Sequence, residues 1–199
     1  EESGSLGGTS SDTWYIDPVD GTINYAHGVP YFCVSLAYAH AGQVVLGVII
    51  DPMRGECFSA QRGAGAWLNG SRRLRVSATD QLIAGVVGTG FPGNIAAAAP
   101  GSVEDYARFA HRTSGVRVLS SAALDLCSVA AGRLDAAWNR TLNAYDVAAG
   151  GLIAEEAGAH VTTVDGSPEY LRAKTSILAA NPALHAQMLA VLRESDQVQ

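Results

Sequence analysis

An apolar strand segment led by Trp14 and Ile16 runs directly into Asp17-Pro18-Val19-Asp20-Gly21-Thr22, so two carboxylates stand three residues apart at the end of a strand. Residues at an odd spacing on a regular strand face opposite sides. Both aspartates therefore turn inward only if the strand is interrupted between them. Pro18, with its fixed φ and missing N–H, is expected to end the strand there and fold Val19 and Asp20 back towards Asp17. Such a corner suits a hard divalent cation, which takes oxygen ligands: the two carboxylates, Asp17 and Asp20, and the carbonyl of Val19. Gly21 lets the backbone approach a ligand closely, and Thr22 adds a hydroxyl. Taken singly, Asp-Pro and Asp-Gly are ordinary turn dipeptides; together, behind an apolar strand, they favour a site.

The rest of the chain divides by period. Up to about residue 83 it is strand-rich. Phe32, Val34, Leu36 and Tyr38 alternate with smaller or polar residues, residues 43–50 are almost continuously apolar, and residues 56–60 follow an Asp-Pro-Met-Arg-Gly turn, which together predict an antiparallel meander. Arg72, Arg73 and Arg75 read as a solvated edge strand. From residue 84 strands and helices alternate. Strands are expected at 84–89, 116–119, 135–138, 161–164 and 177–179. Helices are expected at 103–111, from the Ser120-Ser121 cap to 131, at 146–157, and from Asn181-Pro182 to about 193. With no linker between these pieces, the expectation is one domain of two closely packed lobes, 1–83 and 84–199, in the α/β (layered α+β) class.

Charge and cysteine usage narrow the function. A formal net charge of −6 argues against a nucleic-acid partner, since phosphate backbones are gripped by clustered Lys and Arg. A phosphorylated small molecule approaching these aspartates would need cations to offset both charges. Cys33, Cys57 and Cys127 are odd in number and set in apolar segments, which suggests free thiols in a reducing, cytoplasmic setting. No stretch reads as a signal peptide or membrane span. The five histidines show no metal-ligand spacing for zinc, and Ser120-Ser121 lacks a nucleophile elbow.

Asp17-Pro18-Val19-Asp20-Gly21-Thr22-Ile23-Asn24 resembles the signature of the inositol monophosphatase family, Asp-Pro-(aliphatic)-Asp-Gly-Thr-x-Asn. Tyr145-Asp146-Val147-Ala148-Ala149-Gly150 resembles a second family signature, with Tyr where the family usually has Trp. Glu1-Glu2 stands close to the usual spacing of a third, Gly-Glu-Glu. The resemblance covers essentially the whole chain. It implies an αβαβα sandwich with an antiparallel meander sheet and a second mixed sheet. Family members generally carry two helices ahead of the Glu pair, so the sequence reads as lacking them at its front.

What the resemblance implies about chemistry is specific. Glu1, Asp17 and the Val19 carbonyl would hold one Mg²⁺, and Asp17, Asp20 and Asp146 a second, with a third, looser ion near Glu1. A metal-activated water, oriented by Thr22 with Glu1 as base, would attack phosphorus without a covalent intermediate. On spacing alone Asp146 would be an N-cap; the family match makes it a metal ligand that also meets a substrate hydroxyl. Asp20, Gly21, Thr22, Ser121, Ala122, Asn139 and Asp146 are the expected substrate contacts. Relatives acting on inositol phosphate usually place Glu at the position of Asn139, which leaves histidinol phosphate, inositol phosphate and other polyol or sugar monophosphates open. Relatives are commonly homodimers and lithium-sensitive. The alternative from another class is an inactive phosphate- or metal-binding module that docks on a partner.

Overall fold

The computed structural model describes residues 11–196. The meander comes first: β1 (Asp12–Asp20), the single-turn-plus helix α1 (Thr22–Ala26), then β2 (Cys33–His40), β3 (Gln43–Asp51), β4 (Glu56–Gln61), β5 (Gly65–Leu68) and β6 (Arg72–Arg73). These six strands form one antiparallel sheet in sequential order. The second half supplies β7 (Val86–Thr89), α2 (Ser102–Arg112), β8 (Gly115–Val118), α3 (Ala122–Ala130), β9 (Ala136–Asn143), α4 (Ala144–Glu156), β10 (His160–Thr162), β11 (Lys174–Ala180) and α5 (Pro182–Asp196). Its sheet runs β10-β11-β9-β7-β8, with β7, β8 and β9 parallel and the other pairings antiparallel.

α3 and α4 lie between the two sheets, and α2 and α5 cover the outer face of the second, giving four successive layers among the described residues. α4 is buried on nearly every side, as a helix sandwiched between sheets must be. It fits because its near face is small. A Cβ placed on Gly47 of β3 would come within 3.0 Å of the Ala149 carbonyl, and one on Gly150 within 2.7 Å of Leu126. The Ala148-Ala149-Gly150 run thus lets α4 approach both the first sheet and α3.

β2 shows how that sheet meets the helix. Its inward residues are Cys33, Ser35, Ala37 and Ala39, the small set, whereas Val34, Leu36 and Tyr38 face the other way. On that outer face Trp14, Ile16, Leu46 and Ile50 are exposed. Burying the small set keeps a helix close; burying the large one would push it away. All three cysteines are free, with Cys33 and Cys127 buried. Among the described residues no helix is long and apolar enough to cross a membrane.

Two expectations need correction. β1 does not stop at Pro18: it pairs with β2 through Asp20, and the pairing jumps from Asp17↔Ser35 to Asp20↔Cys33. Three steps on one strand against two on its partner is a β-bulge, and the extra residue restores the parity that puts both carboxylates on the inner face. Pro18 is tolerated at the bulge, where ladder pairing lapses. β9 is also longer than expected, continuing through Asn139-Arg140-Thr141, polar residues that look loop-like in sequence. Its partner β11 and a buried ion pair on Arg140 hold that extension in the sheet.

Candidate metal and phosphate site

The bulge delivers Asp17 and Asp20, and the first turn of α4 delivers Asp146. One carboxylate oxygen from each lies within 4.8 Å of the others. Asp17 and Asp20 are each only 8% exposed. Each aspartate is held by one oxygen. The Val19 N–H donates to Asp17 Oδ1 at 3.0 Å, across the bulge. Asp20 Oδ2 accepts from Ser121 Oγ at 2.6 Å and from the Ala123 N–H at 2.8 Å. The Asn143 N–H donates to Asp146 Oδ2 at 2.6 Å.

That arrangement determines the local electrostatics. Burial, then the neighbouring charge of Asp20, pushes the Asp17 carboxyl up to about 7 despite the Val19 bond. Burial also raises Asp146, to about 6, against the pull of the Asn143 N–H. Asp20 is raised by burial too, opposed by its bonds to Ser121 and Ala123. No lysine or arginine is paired with any of the three among the described residues. Buried like charges without a counter-charge are costly. A divalent cation with oxygen preference fits this donor set.

Other expected residues take definite places. Asp146 is not the N-cap of α4; that is Asn143, and Asp146 is the third residue of the helix, reaching back to the Asn143 N–H. Ser121 caps α3, and its hydroxyl and the first N–H groups of that helix face Asp20, so the anion at this helix N-terminus is a protein carboxylate. Gly21 has φ 87, and a Cβ there would lie 3.0 Å from the Tyr31 carbonyl, so glycine is required on both counts. Thr22 opens α1, and Val19 sits within the bulge. Glu1 lies outside the described residues.

Asn139 lies just beyond the last parallel pairing of β9, Thr89↔Trp138. Its Oδ1 accepts from the Gly90 N–H at 3.0 Å. Gly90 leaves β7, and Ser121 follows β8 after a short link, so all three lie at the carboxyl ends of the parallel strands, where open α/β sheets bind ligands.

Several residues have supporting roles that the sequence did not reveal. Asn24 ties the signature to the second sheet, its Nδ2 donating to the carbonyls of Tyr31 at 2.7 Å and Leu119 at 2.8 Å. Asn143 accepts from Lys174 Nζ at 2.8 Å and donates to the Tyr145 hydroxyl at 2.7 Å, bracing the turn that carries Asp146. Cys33 Sγ lies 3.7 Å from Asp20 Oδ2. Asn24 stood in the sequence only as the last fixed position of the signature, Cys33 only as a free thiol in an apolar segment, and Asn143 carried no signal of its own.

Known proteins resemble this chain in sequence and in fold. Residues 1–197 match the model of the inositol monophosphatase family. An inositol-1-monophosphatase of Caulobacter vibrioides is 41% identical over 198 residues, spanning 97% of this chain and 76% of that protein. A protein named Nus factor SuhB from Pseudomonas aeruginosa is also 41% identical, over 97% of this chain and 72% of its own length. The solved structure of an inositol monophosphatase from Anabaena (Nostoc) sp. PCC 7120 superposes with a TM-score of 0.91 at 40% identity, covering 98% of this chain and 77% of that one.

Proposed function

The chain belongs to the inositol monophosphatase family of phosphoric monoester hydrolases, with its αβαβα fold, and from that premise we propose that it hydrolyses a small polyol or sugar phosphate with Mg²⁺ held by Asp17, Asp20 and Asp146. The observation that supports this reading is the convergence of two buried carboxylates, Asp17 and Asp20, and a half-buried one, Asp146, with no cationic side chain paired to them among the described residues. When bound, the cations would offset the charge of the phosphoryl group and lower the pKa of an attacking water.

The chain's own residues then divide the work. Asp17 faces both Asp20 and Asp146, each of which raises its pKa, and would be the carboxylate shared between two ions; the Val19 carbonyl and Glu1 would complete the proposed set, with room in the scheme for a third ion. Asp20 is kept in place by Ser121 and the Ala123 N–H, which favour its ionised form. Gly21 and Thr22 offer backbone and hydroxyl donors to the phosphate; Thr22 would orient the attacking water, and Glu1 would be the base that takes its proton. Asp146 meets the substrate's hydroxyl. Ser121 and Ala122 act mainly through Asp20.

Asn139 bears on the substrate class. With Oδ1 engaged by Gly90, the amide offers its Nδ2 donor, for which no acceptor is found among the described residues. A donor suits a hydroxyl, carbonyl or carboxylate oxygen and repels nothing, but it gives an ammonium group no partner. Polyol and sugar phosphates are therefore favoured over amino-alcohol phosphates such as histidinol phosphate.

A panel of phosphate monoesters, assayed for phosphate release with and without Mg²⁺, tests the reading. Mg²⁺-dependent release, strongest with polyol or sugar phosphates, is expected. Asn139→Asp keeps the acceptor for Gly90 and exchanges the donor for a carboxylate oxygen, so it should shift kcat/KM about tenfold towards the amino-alcohol ester, the effect of one charged hydrogen bond. No release from any ester would contradict the function; an unchanged ratio would contradict only the assignment of Asn139.

A further inference from the structure

Ser35 is 1% exposed, and its Oγ is buried without a hydrogen-bond partner among the described residues. It occupies the inner face of β2, in a row otherwise made of Cys33, Ala37 and Ala39. Alanine would fill that space equally well and spare the chain a desolvated hydroxyl, since a buried polar group left unmade costs stability. Packing alone gives no reason for serine.

Its position gives one. Ser35 is the cross-strand partner of Asp17, as Cys33 is of Asp20. Directly paired residues on one face of an antiparallel sheet have neighbouring side chains. The Cys33 pair shows this, with its thiol 3.7 Å from Asp20 Oδ2. Ser35 therefore stands beside Asp17 on the face of the sheet that α4 covers, and Asp17 belongs to the cluster that Asp146 of α4 joins. An unpartnered donor sits at the inner wall of a group of acceptors.

Resting on the reading of this cluster as a cation site, the geometry points to Ser35 as a positioning residue of that site, its O–H donating to the hydration shell of the ion held by Asp17 and Asp146. Mg²⁺ usually keeps several of its waters when bound by carboxylates, and groups that orient such outer partners are worth a measurable part of metal affinity. The serine costs the empty protein stability and serves the loaded one.

The two roles predict effects of opposite sign in Ser35→Ala. Calorimetric titration of the purified chain with Mg²⁺ should show binding weakened about tenfold, within the range for outer-shell ligand partners. The melting temperature without metal should rise, by about 2–4 °C for a chain of this size, because the orphaned hydroxyl is gone. An unchanged Mg²⁺ affinity, or a fall in the metal-free melting temperature, overturns the inference. A parent chain that binds no Mg²⁺ overturns the cation site itself, and this inference with it.

Discussion

Asp105 and the Asp17–Asp20–Asp146 cluster both bury carboxylates, and they handle the charge in opposite ways. Asp105 on α2 is fully buried, but Arg140 of β9 reaches it with Nε 2.5 Å from Oδ2, and the arginine is itself only 10% exposed. That charge is closed within the protein. At the cluster, three carboxylates converge and the chain supplies donors for one oxygen of each, yet no paired cation among the described residues. Both arrangements cost desolvation, and only the first recovers it from the chain. The difference separates structure from function: a self-compensated buried charge holds α2 against the second sheet, whereas an uncompensated group is completed by a ligand.

The largest expected effect is on chemistry. Asp17→Asn should lower Mg²⁺-dependent turnover by about 10³-fold, the equivalent of several kcal/mol of metal stabilisation at 1.36 kcal/mol per tenfold. Its metal-free melting temperature should stay level or rise, because a repelling charge is removed. Steady-state kinetics and thermal melts read both, and near-normal turnover in this variant would remove Asp17 from the site. At the closed pair the pattern should invert. Arg140→Met takes this arginine from the buried Asp105, with a loss of about 3–5 kcal/mol in urea unfolding and no change in Mg²⁺ affinity. Asp105→Leu with Arg140→Met should recover most of the loss; failure of the double variant to recover would show that more than the pair is broken.

A smaller effect appears in the pH dependence of the metal-free chain. Asp17 is raised to about 7 and Asp146 to about 6, from an ordinary 3.8. Groups that bind protons more tightly when folded contribute stability that is full below about pH 4 and lost as pH rises through about 6 to 7. Melting temperature without metal should therefore fall over that interval, and saturating Mg²⁺ should abolish the fall. A curve that is flat without metal would break the contrast with Asp105.

Much of this was legible in the sequence because it depends on local chemistry. Asp17, Asp20 and Gly21 announce a corner, and the strand and helix alternation after residue 84 is sustained enough to give element order. The mechanism of the corner was not legible: Pro18 suggests a stop, and only the register with β2 reveals a bulge that keeps the strand going. The same limit hid Ser35, whose importance lies in what stands opposite it. Arg140 looked like loop because its partner, Asp105, is 35 residues away in sequence. Asp146 was located by pattern, but its cap, Asn143, depends on where α4 begins, a boundary that propensity places only within a few residues.

The most direct test of the central claim is calorimetric titration of the metal-free chain with Mg²⁺ at pH 7.5, alongside Asp17→Asn. Saturable binding by the parent with release of protons from the raised carboxyls, lost in Asp17→Asn, is the predicted result. Absence of binding by the parent, or equal binding by both, would contradict it.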